Sequence, residues 1–317
     1  MNILSLFDGM SCGRIAAERA GFDVENYYAS ELDKYAITVT QANWPNTIQL
    51  GDVTKWREWD IDWANIDLLI GGSPCQGFSF AGKQLAFDDP RSALFFEYMN
   101  ILNHIKAVNP NVKFMLENVK MKQEYLDVIS SMVGVDPVFI NSALVSAQNR
   151  KRYYWANWDF YQPRDEDINL IDCLEDEVDI KFIHTQKALD YMDRAVKGGR
   201  NHWDFKHHSD VRNDKSQCIT ANTFKGVPYS AVIAFRENLR AKSKCVRSGG
   251  RGSFDRHEWD SADKIHVRKF TPTECERLQT VPDNYTNHVS NTQRYKMLGN
   301  GWTVDVIVHI FKSLIRL

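Results

Sequence analysis

The 317-residue sequence has no CxxC pair, no GxGxxG run, and no apolar stretch near the roughly 18 residues that a membrane span needs. Its six cysteines, at 12, 75, 173, 218, 245 and 275, are too scattered for zinc or redox spacing. They read as free thiols of a reducing compartment, any one of which can serve as a nucleophile. The opening MNILSLFDGM has no basic segment before its short apolar run, so no secretory leader is expected. Internal repeats and low-complexity tracts are also missing. Hydrophobic residues make up 43% and charged residues 25%, which supports a core without disulfides or metal. The length suits one sizeable domain plus a smaller one.

Net charge is only −2, a weak argument against a polyanionic partner. Its distribution reverses that argument. Residues 159–193 hold eleven Asp/Glu against three Lys/Arg, whereas residues 194–256 hold fourteen Lys/Arg against five Asp/Glu. A compact basic segment is a candidate phosphate-binding surface, although a solvated face neutralised by the acidic stretch has the same composition.

Short apolar runs alternate with helical patterns over the first ~155 residues. Strands are expected at 2–7, 25–30, 67–72, 112–119, 137–141 and 152–156. Helices are expected at 12–20, closed by Gly21, and at 33–42, 91–108 (Ser92 as N-cap) and 123–133. This alternation predicts an α/β, doubly wound, mostly parallel sheet. Regularity fades after ~160, and 194–265 reads as a loop-rich lobe. It returns at Thr271-Pro272, an N-cap followed by proline, and in a last helix over 302–315. There Val304, Ile307, Val308, Phe311, Leu314 and Ile315 form a core stripe. The expected division is 1–158, 159–268 and 269–317.

Four motifs carry chemistry. Phe7-Asp8-Gly9 lies between strand and helix, where a glycine turn lets a cofactor approach the main chain. The next strand leads into Glu31, placed to accept from ribose hydroxyls, and Gly51-Asp52 offers a carboxylate to an adenine amine. With no GxGxxG, a cofactor without pyrophosphate fits best. Gly72-Ser73-Pro74-Cys75-Gln76-Gly77-Phe78-Ser79 follows a strand at its carboxyl end, where open sheets bind ligands. An isolated cysteine is usually a buried small hydrophobe; a polar, glycine-rich loop favours an accessible thiol instead. Glu117-Asn118-Val119 ends another strand on the same rim. In Gln148-Asn149-Arg150-Lys151-Arg152, alternation puts Arg150 and Arg152 on one face if the chain is extended, to hold a phosphate or carboxylate.

The ordered set FDG, SPCQGFS, ENV, QNRKR and LGNGWTV resembles the DNA cytosine-5 methyltransferase family from residue 3 to about 310, interrupted by one variable region. LSLFDGM, Ala29-Ser30-Glu31, Leu94-Phe95-Phe96-Glu97, Asn284-Tyr285-Thr286 with Val289-Ser290-Asn291, and Leu298-Gly299-Asn300-Gly301-Trp302 resemble most the de novo branch and its phage or bacterial relatives. The resemblance implies a Rossmann-like, S-adenosyl-L-methionine-dependent fold with a target-recognition lobe over 159–268. It implies Cys75 as nucleophile toward carbon 6 of cytosine, and Glu117, Arg150 and Arg152 as its catalytic companions. An arginine near Cys75 would favour the thiolate. Cofactor contacts would come from Phe7, Asp8, Gly9, Glu31, Asp52, Val53, Pro74, Asn300 and Trp302. DNA contacts would come from Gln76, Ser79, Arg247 and Arg251.

A base inside a duplex must be flipped out for this chemistry, and residues 76–90, with Gly77 and Gly82 as hinges, would form a lid. The implied partner is double-stranded DNA, with no membrane or metal, in a monomer or homodimer. A bacterial or phage-infected cytoplasm is implied, or a nucleus if the source is eukaryotic. Where the family often has GNS or GNA, this chain has Gly299-Asn300-Gly301-Trp302. Transfer-RNA cytosine methylation and a silent DNA-binding paralogue are the alternatives; the basic lobe argues against the first and the full set of motifs against the second.

Overall fold

A computed structural model describes residues 1–73, 93–196, 200–201, 208–210, 214–227, 229–235 and 265–315. Seven strands form the main sheet: β1 (Asn2–Leu6), β2 (Asn26–Ser30), β3 (Ile48–Gln49), β4 (Leu68–Gly71), β5 (Lys113–Val119), β6 (Val138–Asn141) and β7 (Lys151–Ala156). Their order is β3-β2-β1-β4-β5-β7-β6. β1 to β5 run parallel, and β7 lies antiparallel between β5 and β6.

Alternation along each strand separates two apolar layers. Ile3, Tyr27, Ile70, Met115 and Tyr154 face one layer, with α1 (Cys12–Ala20). Leu4, Leu69, Phe114, Leu116 and Trp155 face the other, with α3 (Ala93–Val108) and α4 (Gln123–Val133). The expected doubly wound sheet is therefore present. α2 (Lys34–Asn43) starts at Asp33, whose carboxylate accepts from the Tyr35 N–H at 2.9 Å.

Two short helices follow β7, α5 (Leu170–Cys173) and α6 (Gln186–Asp193). Beyond them β8 (Ala195–Val196) pairs with β9 (Arg200–Asn201), and β10 (His208–Asp210), β11 (Ala231–Phe235) and β12 (Ile265–Arg268) make a three-stranded sheet. The chain then returns through α7 (Pro272–Leu278), α8 (Asn291–Asn300) and α9 (Val304–Ile315). Thr271 caps α7 as expected, with Glu274 closing the capping box. α9 packs on α1, where Phe22 stacks on Phe311 at 5.2 Å. The expected stripe of α9 is buried as far as Phe311, but Ile315, the last residue of the helix, is 54% exposed. Short β3 and helix α8 are additions to the sequence expectation. Two β3 residues are too few to show periodicity, and α8 carries charged and polar residues on much of its length.

Candidate active site at the carboxyl rim of the sheet

The turn after β1 bends through three left-handed residues, Phe7 (φ 57°), Gly9 (φ 61°) and Ser11 (φ 62°). Two of these carry side chains and are strained, which persists only where the surroundings over-determine it. The Asp8 N–H donates to the Ser30 carbonyl at 3.1 Å, and the Gly9 N–H donates to Glu31 Oε2 at 2.7 Å. Asp8 itself is buried; its carboxylate accepts from Tyr27 Oη at 2.7 Å and from the Ser11 hydroxyl. Burial pushes the Asp8 carboxyl up to about 6, against the pull of those hydrogen bonds. Asp8 thus builds the turn, while Phe7 and Gly9 border the rim.

Glu31 ends β2. Its Oε1 accepts from the Leu32 and Asp33 N–H groups at 2.7 and 2.8 Å. Asp52 ends the next crossover and caps a 3-10 turn, accepting from Thr54 N–H and Thr54 Oγ1 at 2.9 and 2.8 Å, both on Oδ1. Those bonds hold its carboxyl below the usual carboxylate range. The Val53 side chain turns into the core with Trp56.

Glu117 sits near the end of β5, 8% exposed. Arg152 on β7 donates through Nε to Glu117 Oε1 at 2.8 Å. The register explains the pair: Glu117 opposes Tyr154 and Val119 opposes Arg152, so the two meet diagonally on one face. Trp302 donates through Nε1 to Glu117 Oε2 at 3.1 Å. A Cβ on Gly72 would lie 2.8 Å from that oxygen and 2.9 Å from the indole nitrogen, so only glycine fits between β4 and this pair. Asn118 Nδ2 donates to Ser73 Oγ at 3.3 Å, which ties the segment leading out of β4 to the Glu117 strand.

Arg150 does not join Arg152 on Glu117. It is buried, and its guanidinium donates to the carbonyls of Gly301 (2.8 Å), Gly299 (3.3 Å) and Ile219 (3.3 Å) and to Cys218 Sγ (3.3 Å). Asn300 is exposed at the end of α8. The Gly301 departure sits in a tight place: a Cβ there would lie 3.1 Å from the Met297 carbonyl oxygen and from Met10 Cε, and 3.2 Å from Cys12 Sγ. Pro74, Cys75, Gln76, Gly77, Ser79, Gly82, Ser92, Arg247 and Arg251 lie outside the described residues, as does the expected lid.

Sequence reasoning missed two buried amides. Gln148 donates to the Leu278 carbonyl at 3.0 Å and accepts from the Ile219 N–H at 2.9 Å. Gln279 donates to the Leu298 carbonyl at 2.6 Å and accepts from Thr303 Oγ1 at 2.9 Å. Only Gln148 stood in a motif, and nothing in its spacing announced a structural hub. Among the described residues no cluster of His, Cys, Asp and Glu could hold a metal ion, and no helix is long and apolar enough to cross a membrane.

The sequence matches the family described as C-5 cytosine-specific DNA methylase over residues 1–133 and 135–316. It is 31% identical to the type II methyltransferase M.NlaX of Neisseria lactamica, covering 98% of this chain and 95% of that one. It is 30% identical to the type II methyltransferase M1.ScrFI of Lactococcus lactis subsp. cremoris, covering 99% and 78%. In fold it is similar to a DNMT2 mutant from Spodoptera frugiperda, with a TM-score of 0.67, 23% identity and 99% of each chain covered. The same holds for the Entamoeba histolytica methyltransferase EhMeth, with a TM-score of 0.70, 16% identity and 100% and 98% covered. The chain belongs to the C-5 cytosine-specific DNA methylases and is an enzyme of that class.

Proposed function

We propose that this enzyme transfers a methyl group from S-adenosyl-L-methionine to carbon 5 of a cytosine flipped out of duplex DNA, through a covalent adduct with Cys75. The observation that carries the reading is the buried Glu117 carboxylate, held on one oxygen by Arg152 and on the other by Trp302. Its neighbour Asn118 bonds Ser73, in the segment that leads out of β4 and precedes Cys75 in the chain. Only two peptide units, at most about 7 Å, separate Ser73 from Cys75.

The rim fits the cofactor. Glu31 Oε2 accepts one amide N–H and keeps a lone pair for a ribose hydroxyl. The Asp52 bonds given above fall on Oδ1, which leaves Oδ2 for an adenine amine. Around Gly9 nothing lies within 4 Å of where a Cβ would be, which leaves the turn open, and the Trp302 ring passes within 3.5 Å of where a Gly13 Cβ would be. When bound, S-adenosyl-L-methionine supplies a methyl group on a positively charged sulfur. Phe7, Gly9, Glu31, Asp52, Pro74, Asn300, Trp302 and the main chain of Val53 would hold it, with Asp8 shaping the turn from behind.

On the substrate, the Cys75 thiolate forms a bond to carbon 6, and the ring electrons shift toward carbon 5. Glu117, sharing a proton with the ring nitrogen, hydrogen-bonds that nitrogen and accepts from the exocyclic amine, stabilising the charge that develops. Arg152 keeps Glu117 aimed, and Arg150 acts at a distance by fixing the Gly299–Gly301 turn. After methylation, loss of the carbon 5 proton and cleavage of the carbon–sulfur bond release the product. Residues 159–268 read as the target-recognition lobe, with Arg247 and Arg251 on the DNA, and Gln76 and Ser79 beside the flipped base. Type II relatives, and the orphan methyltransferase M.SPRI of Bacillus phage SPR, 28% identical, favour a role in modifying bacterial or phage DNA.

The test uses duplex DNA carrying 5-fluorocytosine, whose fluorine cannot leave as the proton does. With cofactor present, the wild type should form an adduct that survives denaturing electrophoresis, and Cys75→Ser should form none. An adduct in the Cys75→Ser protein would remove Cys75 as nucleophile. Preferential labelling of transfer RNA over duplex DNA by radiolabelled cofactor would overturn the substrate.

A further inference from the structure

We infer that Trp302 is a positioning residue for Glu117, tying the cofactor side of the rim to the carboxylate that receives the base. This rests on the reading above, in which Glu117 contacts the cytosine. An indole has a single N–H and no acceptor, so Trp302 can fix one oxygen only, and it fixes Glu117 Oε2 at 3.1 Å. Arg152 holds the other oxygen at 2.8 Å. With both oxygens held, the carboxylate cannot rotate about its terminal bond without giving up a donor in a site where Glu117 is only 8% exposed.

The geometry around the indole is set on three sides. Gly72 closes against it, since a Cβ there would lie 2.9 Å from Nε1. Gly13, in the first turn of α1, lies beneath the far edge of the ring. The preceding Gly301 carbonyl accepts from Arg150 at 2.8 Å and from Gln279 Nε2 at 3.1 Å. The buried Arg150 therefore reaches Glu117 through the Gly301-Trp302 peptide rather than by contact. The ring extends from the first turn of α1, which follows the Phe7–Ser11 turn, to the carboxylate, so the same side chain joins the cofactor side of the rim to the base side.

Trp302→Phe keeps a ring and removes the N–H; Gly72→Ala drives a methyl group between the indole and the carboxylate. For Trp302→Phe, kcat for DNA methylation should fall about tenfold while the dissociation constant for S-adenosylhomocysteine stays within about twofold. Gly72→Ala should show the same split. A readout independent of turnover is the Trp302 Nε1–H resonance in [15N]tryptophan-labelled protein, assigned by its loss in Trp302→Phe. It should move upfield in Glu117→Gln, which weakens the acceptor. An unmoved resonance, or an unchanged kcat in Trp302→Phe, overturns the proposal. A rise in the S-adenosylhomocysteine dissociation constant matching the loss of kcat overturns it too, because the ring would then serve binding alone. If Glu117→Gln retains full methylation while the resonance shifts, it is the base-contact reading of Glu117 that fails, not the tie between the two side chains.

Discussion

Asp8 shows how a residue can stand in a functional motif and do its work from behind it. Its carboxyl titrates near 3.8 when unfolded and near 6 in the folded protein, because burial outweighs the donors around it. A raised value means the folded state binds the proton more tightly. The stability this group contributes is present below 3.8, falls as pH rises from 3.8 to 6, and stays lost above. Asp8→Asn should therefore be more stable than wild type at pH 7.5, by at most about 3 kcal/mol, and no more stable at pH 4. Urea denaturation at the two pH values checks this; a difference independent of pH would show that Asp8 does not titrate in this window. FDG marked the turn from sequence alone. It could not distinguish a carboxylate facing the cofactor from one folded back onto Tyr27, which becomes its neighbour only when β1 and β2 pair.

Among elements, the passage from β12 into α7 is held by a buried ion pair. Arg268 donates to Glu274 through two nitrogens, at 2.7 and 2.6 Å, and Glu274 also accepts from the Thr271 and Glu175 N–H groups, each at 2.9 Å. Glu274 is fully buried. Removing its cation leaves an uncompensated charge, so Arg268→Ala should destabilise the protein by about 3–5 kcal/mol. Arg268→Met with Glu274→Leu should recover part of that loss. Thermal unfolding monitored by circular dichroism reads both, and an Arg268→Ala protein that melts like wild type would contradict the pairing. Thr271-Pro272 announced the start of α7 because a cap is a local signal. The partner of Glu274 was not legible, because Arg268 ends a strand and Glu274 sits in a helix, and no single periodicity spans the turn between them.

Over the whole molecule, three distant stretches converge near the rim: the approach to β7, residues 216–221, and the C-terminal return. Gln148, Arg150 and Gln279 bind all three together. Gly299 allows the closest contact, since a Cβ there would come within 2.1 Å of the Thr220 carbonyl carbon. Residues 216–221, within the basic stretch, are thus anchored to the rim by buried bonds from side-chain amides and a guanidinium to the main chain. If that stretch holds phosphates, affinity for duplex DNA should fall by at least about tenfold between 50 and 200 mM salt, as counterion release requires. Fluorescence anisotropy across a salt series measures the slope; a flat line would remove the basic segment from the DNA interface.

The sequence by itself determined the α/β alternation, most strand and helix limits, and the identity of the rim residues. Periodicity, caps and glycine turns are local properties that a chain carries before it folds. Tertiary structure alone decided which side chains meet. The antiparallel insertion of β7 beside β5 put Arg152, and not Arg150, on Glu117, and the return of α8 and α9 brought Trp302 across the sheet to the same carboxylate. Those contacts join residues 35 and 185 positions apart, a separation over which no local pattern carries information and only the packing of the finished sheet sets the distance.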